Sequence, residues 1–183
     1  MLTLASRSPQ RRAILTQLGV EFDVVVPEVE ELSEGPAREL VIENARRKAL
    51  AVPGELVLGV DTEVILDGRA YGKPADEGEA RAMLALLSGR EHEVWSGIAL
   101  RAGEEVREAA ERTEVRFRAL DPGLIDWYVA SGEWRERAGG YAIQGRGAAL
   151  VEAVEGDFWN VVGLPVPALL ALAPELVVAA RGG

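Results

Sequence analysis

The chain has 183 residues, 48% apolar and 27% charged, which suffices for one well-filled core and is too short for two ordinary domains, though a two-lobed single domain remains open. A formal net charge of −10 argues against broad binding to duplex nucleic acid or to an anionic membrane surface, while leaving room for a local cation cluster that holds a small anion. With no cysteine and one histidine, His92, the chain has no means to build a disulfide framework, a thiolate nucleophile or a histidine-rich zinc site.

Leu2 to Ala5 reads as a short first strand. Ser8-Pro9 supplies an N-cap and a proline at the first helical position, and Gly19 a stop, so residues 9 to 18 should be helical with Ile14, Leu15 and Leu18 as the buried stripe. Val20 to Pro27 alternates as a strand, and Pro36 opens a second helix to about Val52, on which Asn44 and Lys48 share a face one turn apart. Leu56 to Leu66 is the strongest strand signal and ends in Asp67-Gly68, a type I′ hairpin turn. Pro74-Ala75-Asp76 should start a third helix through Leu87, closed by Ser88-Gly89. Two long strands, about 91 to 100 and 104 to 118, follow, then a helix from Asp121-Pro122 to Ala130. Residues 132 to 147 contain five glycines and read as a functional loop, followed by a strand near 148 to 155 and a terminal helical segment. The alternation predicts one α/β domain, residues 1–183, with helices flanking a mixed, elongated central sheet and a cleft. The polar start after Met1 lacks the n- and h-regions of a leader, and Pro165, Pro167 and Pro174 break the last apolar stretch, so a cytoplasmic protein without a membrane span is expected.

Three segments concentrate chemistry. Arg7, Arg11 and Arg12 crowd the start of the first helix, where each exposed cation opposes the helix dipole by about 0.3–1 kcal/mol. That placement is explained by an anion bound at the same helix end, or else by pairing with nearby acids. Asp61 stands in an otherwise apolar strand, on the face of Gly59 and Glu63 and opposite to Leu58, Val60, Thr62 and Val64. Extending the hairpin from Leu66–Arg69 places Thr62 opposite Lys73 and makes Lys73 a diagonal neighbour of Asp61, as a functional pair or a structural ion pair. The glycine-rich run from Ala138 to Gly147 carries Gln144, a donor and acceptor suited to a base edge. His92 reads as structural. Lysine occurs only at Lys48 and Lys73, against eighteen arginines, so these are two places where a compact ammonium is wanted, or two chance surface positions.

The ordered motifs Leu-Ala-Ser-x-Ser-Pro-x-Arg, Ala45-Arg-Arg-Lys48-Ala, Gly59-Val-Asp61-Thr62, Gly72-Lys73-Pro74, Leu87-Ser-Gly-Arg-Glu-His92, Ala138-Gly-Gly-Tyr-Ala-Ile-Gln144-Gly and Asn160-Val-Val-Gly-Leu-Pro165 resemble the Maf family of nucleoside triphosphate pyrophosphatases. The resemblance implies hydrolysis between the α and β phosphates with a divalent cation, Mg²⁺ or Mn²⁺. It makes Asp61 the proton acceptor and a metal ligand, Glu30 a further metal ligand, and Ser8, Arg11, Lys48 and Lys73 the triphosphate grip. It also implies that Gln10, Thr62 and Gln144 set specificity. Thr62 and Gln144 match the dTTP/UTP branch, whereas Gln10 stands where that branch carries arginine. The implied partner is a nucleoside triphosphate, with a homodimer compatible. Two rivals stay open: a pyrophosphatase for modified purine nucleotides, and a non-enzymatic nucleotide-binding regulator of septum formation.

Overall fold

The computed structural model describes residues 1–178; the last five positions of the expected 1–183 domain lie outside them. The elements alternate as β1 (Leu2–Ala5), α1 (Pro9–Gln17), β2 (Phe22–Val25), α2 (Ala37–Ala51), β3 (Leu56–Leu66), β4 (Arg69–Tyr71), α3 (Glu77–Leu87), β5 (Glu91–Ala102), β6 (Glu105–Phe117), α4 (Pro122–Val129), β7 (Val151–Glu155), α5 (Phe158–Val162), α6 (Val166–Leu172) and α7 (Glu175–Val178). The seven strands form one mixed sheet ordered β2-β1-β3-β5-β6-β7, with β4 turned back on β3. β1 runs parallel to β2 and β3, while β3, β5, β6 and β7 pair antiparallel.

Local chemistry sets most of these boundaries. Ser8, Asp76, Asp121 and Asp157 accept from backbone N–H groups in the first turns of α1, α3, α4 and α5, so α3 starts at Glu77 behind its Asp76 cap and not at Pro74. β2 is shorter than its apolar run because only Phe22–Val25 finds a partner, β1. The last strand starts later than expected: Ala148 belongs to a 3₁₀ turn, Gly145–Ala149, and β7 begins only at Val151. The terminal segment divides into three short helices at its prolines.

The two faces of the sheet are packed differently. On one face, Leu58, Val60, Ile98 and Leu100 pack under Ile14 and Leu15 of α1 and Leu169 of α6. Farther along the same face Val64, Leu66, Val94, Val115 and Phe117 pack under α3 and α4. Thr62 and Ser96, joined through their hydroxyls at 2.8 Å, interrupt the apolar face between these clusters.

The opposite face carries α2 on small residues, Ala5, Ala45, Ala49 and Ala99 with Val57. The closest approach is over two glycines. A Cβ on Gly59 would sit 2.1 Å from the Ala45 carbonyl oxygen, and one on Gly97 2.2 Å from that of Val41. Gly97 lies directly across the ladder from Asp61, so the helix passes over the strand position of that carboxylate. Replacing Gly97 with alanine forces the helix off the sheet, and we expect a loss of about 1–3 kcal/mol in the urea unfolding free energy at unchanged m-value. Wild-type stability in that variant would mean that the helix shifts without cost.

Candidate functional site

The start of α1 is held by its own sequence. Ser8 Oγ caps the Arg11 amide at 3.5 Å and donates to Gln10 Oε1 at 3.2 Å. Arg11 then turns into the fold. Its guanidinium donates to the carbonyl oxygens of Gly163 (2.9 Å) and Val60 (3.0 Å), to Ser6 Oγ (3.0 Å) and to Thr62 Oγ1 (3.1 Å). All four acceptors are uncharged, so Arg11 ties α1 to β3 and to the segment before α6 while its charge stays unneutralised by direct contact. Burial lowers its pKa, against the pull of Asp61 and Glu31. Arg12 remains outside, donating to the Arg7 carbonyl.

Asp61 is only 3% exposed and is held from α2. Lys48 Nζ donates to Asp61 Oδ1 at 2.6 Å and reaches Glu31 Oε2 at 3.0 Å; Asn44 Nδ2 donates to Asp61 Oδ2 at 3.1 Å. Asn44 also grips both backbone groups of Leu32, accepting from its N–H at 2.7 Å and donating to its carbonyl at 2.9 Å. The irregular segment between β2 and α2 is thereby fixed over Asp61, and it delivers the Glu31 carboxylate to Lys48. Glu30, the carboxylate the motif resemblance points to, is exposed, and its backbone carbonyl accepts from Arg47. Glu31 is thus the acid that the geometry brings to Asp61. The doublet Glu30-Glu31 is visible in the sequence, and both members are exposed, but which of them reaches Lys48 depends on the loop's path.

The expected neighbourhood of Lys73 and Asp61 is not formed. The β3–β4 ladder keeps the register Leu66–Arg69 but ends at Val64–Tyr71, where the chain leaves through Gly72-Lys73-Pro74. Pro74 has no N–H to continue the ladder, and the Gly72 carbonyl accepts from Gly139 instead. Lys73 is half-exposed and pairs with Glu136 Oε2 at 3.1 Å. Of the two lysines, only Lys48 is buried, so only there does a compact ammonium follow from the surrounding space.

Ser8, Arg11, Lys48, Lys73 and Thr62 converge on one cleft, together with Arg7, Glu31 and Arg137. Asp61 lies beneath it behind Lys48. An adjoining pocket holds Gln10 and Gln144 with Glu133, Tyr141 and Ile143. Two of the three positions that the motif resemblance links to specificity therefore line one pocket, while Thr62 stands in the neighbouring cleft with its hydroxyl bound to Arg11 and Ser96. His92 is structural as expected: buried, with Nε2 2.8 Å from the Tyr141 hydroxyl and its pKa lowered to about 4 by burial. Glu63 is a further group of interest that no sequence motif singles out. It shares the Asp61 face, its Oε2 is buried without a partner, and burial, then the charges of Asp61 and Glu31, raise its pKa to about 8. The period-two alternation already places it beside Asp61; its desolvation is not readable there.

The chain matches the Maf-like protein family over residues 1–176. It is 52% identical over 172 residues to a protein of Symbiobacterium thermophilum, covering 90% of this chain and 88% of that one. It is 51% identical over 174 residues to one of Thermus thermophilus (93% and 92%) and 45% identical over 179 residues to one of Pyrococcus furiosus (93% and 93%). Each of these three relatives is named dTTP/UTP pyrophosphatase.

Glu63 gives the ligand-free protein a pH signature. Its folded pKa of about 8 lies above the ordinary 4.5, so folding holds the proton: its penalty is absent below about pH 4.5, grows as pH rises and is complete above about pH 8. Glu63→Gln should therefore leave stability near pH 5 almost unchanged and raise it by on the order of 1–3 kcal/mol at pH 9. Thermal unfolding of both proteins across that range checks this, and an equal gain at both pH values would refute it.

Proposed function

The chain belongs to the Maf-like family, and from that premise we propose that it is a nucleoside triphosphate pyrophosphatase acting on dTTP and UTP, with Asp61 as its general base. The buried Lys48–Asp61 pair beneath a cation-lined cleft, adjoining a pocket with two glutamine side chains, is the observation that carries the assignment of roles. Water attacks the α-phosphorus and its proton goes to Asp61. The bond to the β-phosphate breaks, and the electron pair leaves with pyrophosphate. Lys48 and Asn44 fix the carboxylate so that no reorientation is needed at the moment of transfer. Arg11, Lys48 and Lys73, with Ser8, take the triphosphate and offset the charge that builds on the leaving group.

Asp61 and Glu31 would hold a divalent cation. Among the described residues no group of three or more His, Cys, Asp or Glu side chains converges as a metal site. The donor set fits Mg²⁺ or Mn²⁺, which accept one or two carboxylates and complete their shell with phosphate oxygens and water. When bound, such a cation neutralises phosphate charge and acidifies water. Among the described residues no helix is long and apolar enough to cross a membrane.

For specificity, Gln10 and Gln144 face the same pocket, and their amides present both donors and acceptors to the edge of a pyrimidine. Gln10 replaces the guanidinium of the dTTP/UTP branch by a neutral amide, itself engaged by Ser8. One exchanged hydrogen bond there changes discrimination by about 1–3 kcal/mol, so pyrimidine preference is kept with a broader range.

Pyrophosphate release from dTTP, UTP, CTP, 7-methyl-GTP and ITP, with magnesium and with manganese, tests the reading. We expect dTTP and UTP to lead, and preference for ITP or 7-methyl-GTP would replace it with a purine function. Asp61→Asn should abolish turnover yet fold, because Glu31 still pairs with Lys48 and the amide oxygen still accepts from it. Lys48→Arg should lose more activity than Lys73→Arg, since only Lys48 is enclosed; the reverse order would contradict the buried-ammonium argument.

A further inference from the structure

Four residues line both the cation cleft and the glutamine pocket: Arg137, Tyr141, Val161 and Val162. Arg137 alone among them is charged. Its Nε is buried without a hydrogen-bond partner, and it forms no salt bridge among the described residues. The carboxylates nearest to it are committed elsewhere: Glu133 accepts from the Arg146 backbone N–H at 2.9 Å, and Glu136 binds Lys73 at 3.1 Å. Burial lowers the Arg137 pKa, and the same guanidinium is close enough to Arg11 to lower that residue's pKa as well.

Two unneutralised arginines thus face one cleft. A partly desolvated cation with no anionic partner is unfavourable in a folded protein, and a ligand that supplies the anion removes that cost. The backbone supports the same reading. Glu136, which is not glycine and immediately precedes Arg137, is held at φ 59°, a left-handed conformation that residues other than glycine rarely adopt. The turn is then locked from the Gly139 N–H to the Gly72 carbonyl at 3.0 Å.

We propose that Arg137 is a substrate-binding residue that grips the α-phosphoryl group, at the joint between the site for the base and the site for the β- and γ-phosphates. The α-phosphoryl is the only phosphate attached to the nucleoside, so a substrate seated in both cavities places it where they meet. This is also the phosphorus that water attacks. As the new oxygen–phosphorus bond forms and pyrophosphate departs with its electron pair, the guanidinium neutralises the non-bridging oxygens that remain on the nucleotide. The assignment rests on the pyrophosphatase reading above and adds a residue and a role to it.

The full chain with magnesium is tested as Arg137→Met and Arg137→Lys. For dTTP, kcat/KM should fall about 100-fold or more in the methionine variant and recover about tenfold with lysine. Calorimetric titration separates the phosphates: dTMP affinity should drop at least about tenfold in Arg137→Met while pyrophosphate and thymidine affinities stay within about twofold. Loss of pyrophosphate or thymidine binding to the same extent as dTMP, or unchanged dTMP binding, would overturn the assignment. If the wild-type chain released no pyrophosphate from any triphosphate, the pyrophosphatase reading would fall, and the three titrations would still decide the role of Arg137. Should the methionine variant fail to fold, the lysine variant carries the same comparison.

Discussion

The helix α2 lies against β3 and β5 with no side chain between its backbone and theirs at Gly59 and Gly97. That contact sets the depth at which Asn44 and Lys48 enter the sheet face, and therefore the 2.6 Å separation of Lys48 from Asp61. A side chain as small as a methyl at either glycine would have to displace the helix. The rest of the site is referenced to this plane. Asn44 binds Leu32 and so fixes the preceding segment, which in turn delivers Glu31 to Lys48. Strand, helix and loop are joined through two side chains one helical turn apart.

A second organising feature is the way charge is left unbalanced. The chain is acidic overall, yet the cleft collects Arg7, Arg11, Lys48, Lys73 and Arg137 against two carboxylates, Glu31 and Glu136. Arg11 directs its donors to uncharged oxygens, which satisfies its hydrogen bonds without cancelling its charge. Lys48 and Lys73 are paired within the cleft, by Asp61, Glu31 and Glu136, whereas Arg81, Arg90 and Arg116 pair on the outside, where salt bridges are screened and contribute little. Arg11 and Arg137 keep their charges without a carboxylate contact, and the low-dielectric walls of a partly desolvated cleft limit how far the surface acids screen them. Beneath it, Asp61 and Glu63 supply adjacent carboxyl groups in different surroundings. One is held by an ammonium and an amide; the other is buried without a partner at Oε2.

The legible parts of the fold were those governed by local chemistry. Caps at Ser8 and Asp121, the Asp67-Gly68 hairpin and the long apolar strand from Leu56 to Leu66 announce themselves through turn geometry and period-two alternation. The hairpin stops short of Lys73 because the Gly72 carbonyl turns to the N–H of Gly139, a partner distant in the chain, and Pro74 has no N–H to continue the ladder. Glu31 is not legible for a similar reason: two adjacent glutamates in an irregular segment carry no periodicity that says which one reaches Lys48. Arg137 was hidden among eighteen arginines, since an unpaired guanidinium looks like any other until its neighbours are known.

The alternation of strands and helices, the shared face of Asn44 and Lys48, the carboxylate in an apolar strand and, through ordered motifs, the family are all legible in the sequence. These depend on residues close together in the chain, or on pattern. Tertiary structure alone decided that Asp61 is partnered by Lys48 and Asn44, that Lys73 pairs with Glu136, and that Gln10 and Gln144 share a pocket. Each of those contacts joins segments well separated along the chain, and the distance between them is fixed by sheet order and by how closely one helix can approach two glycines.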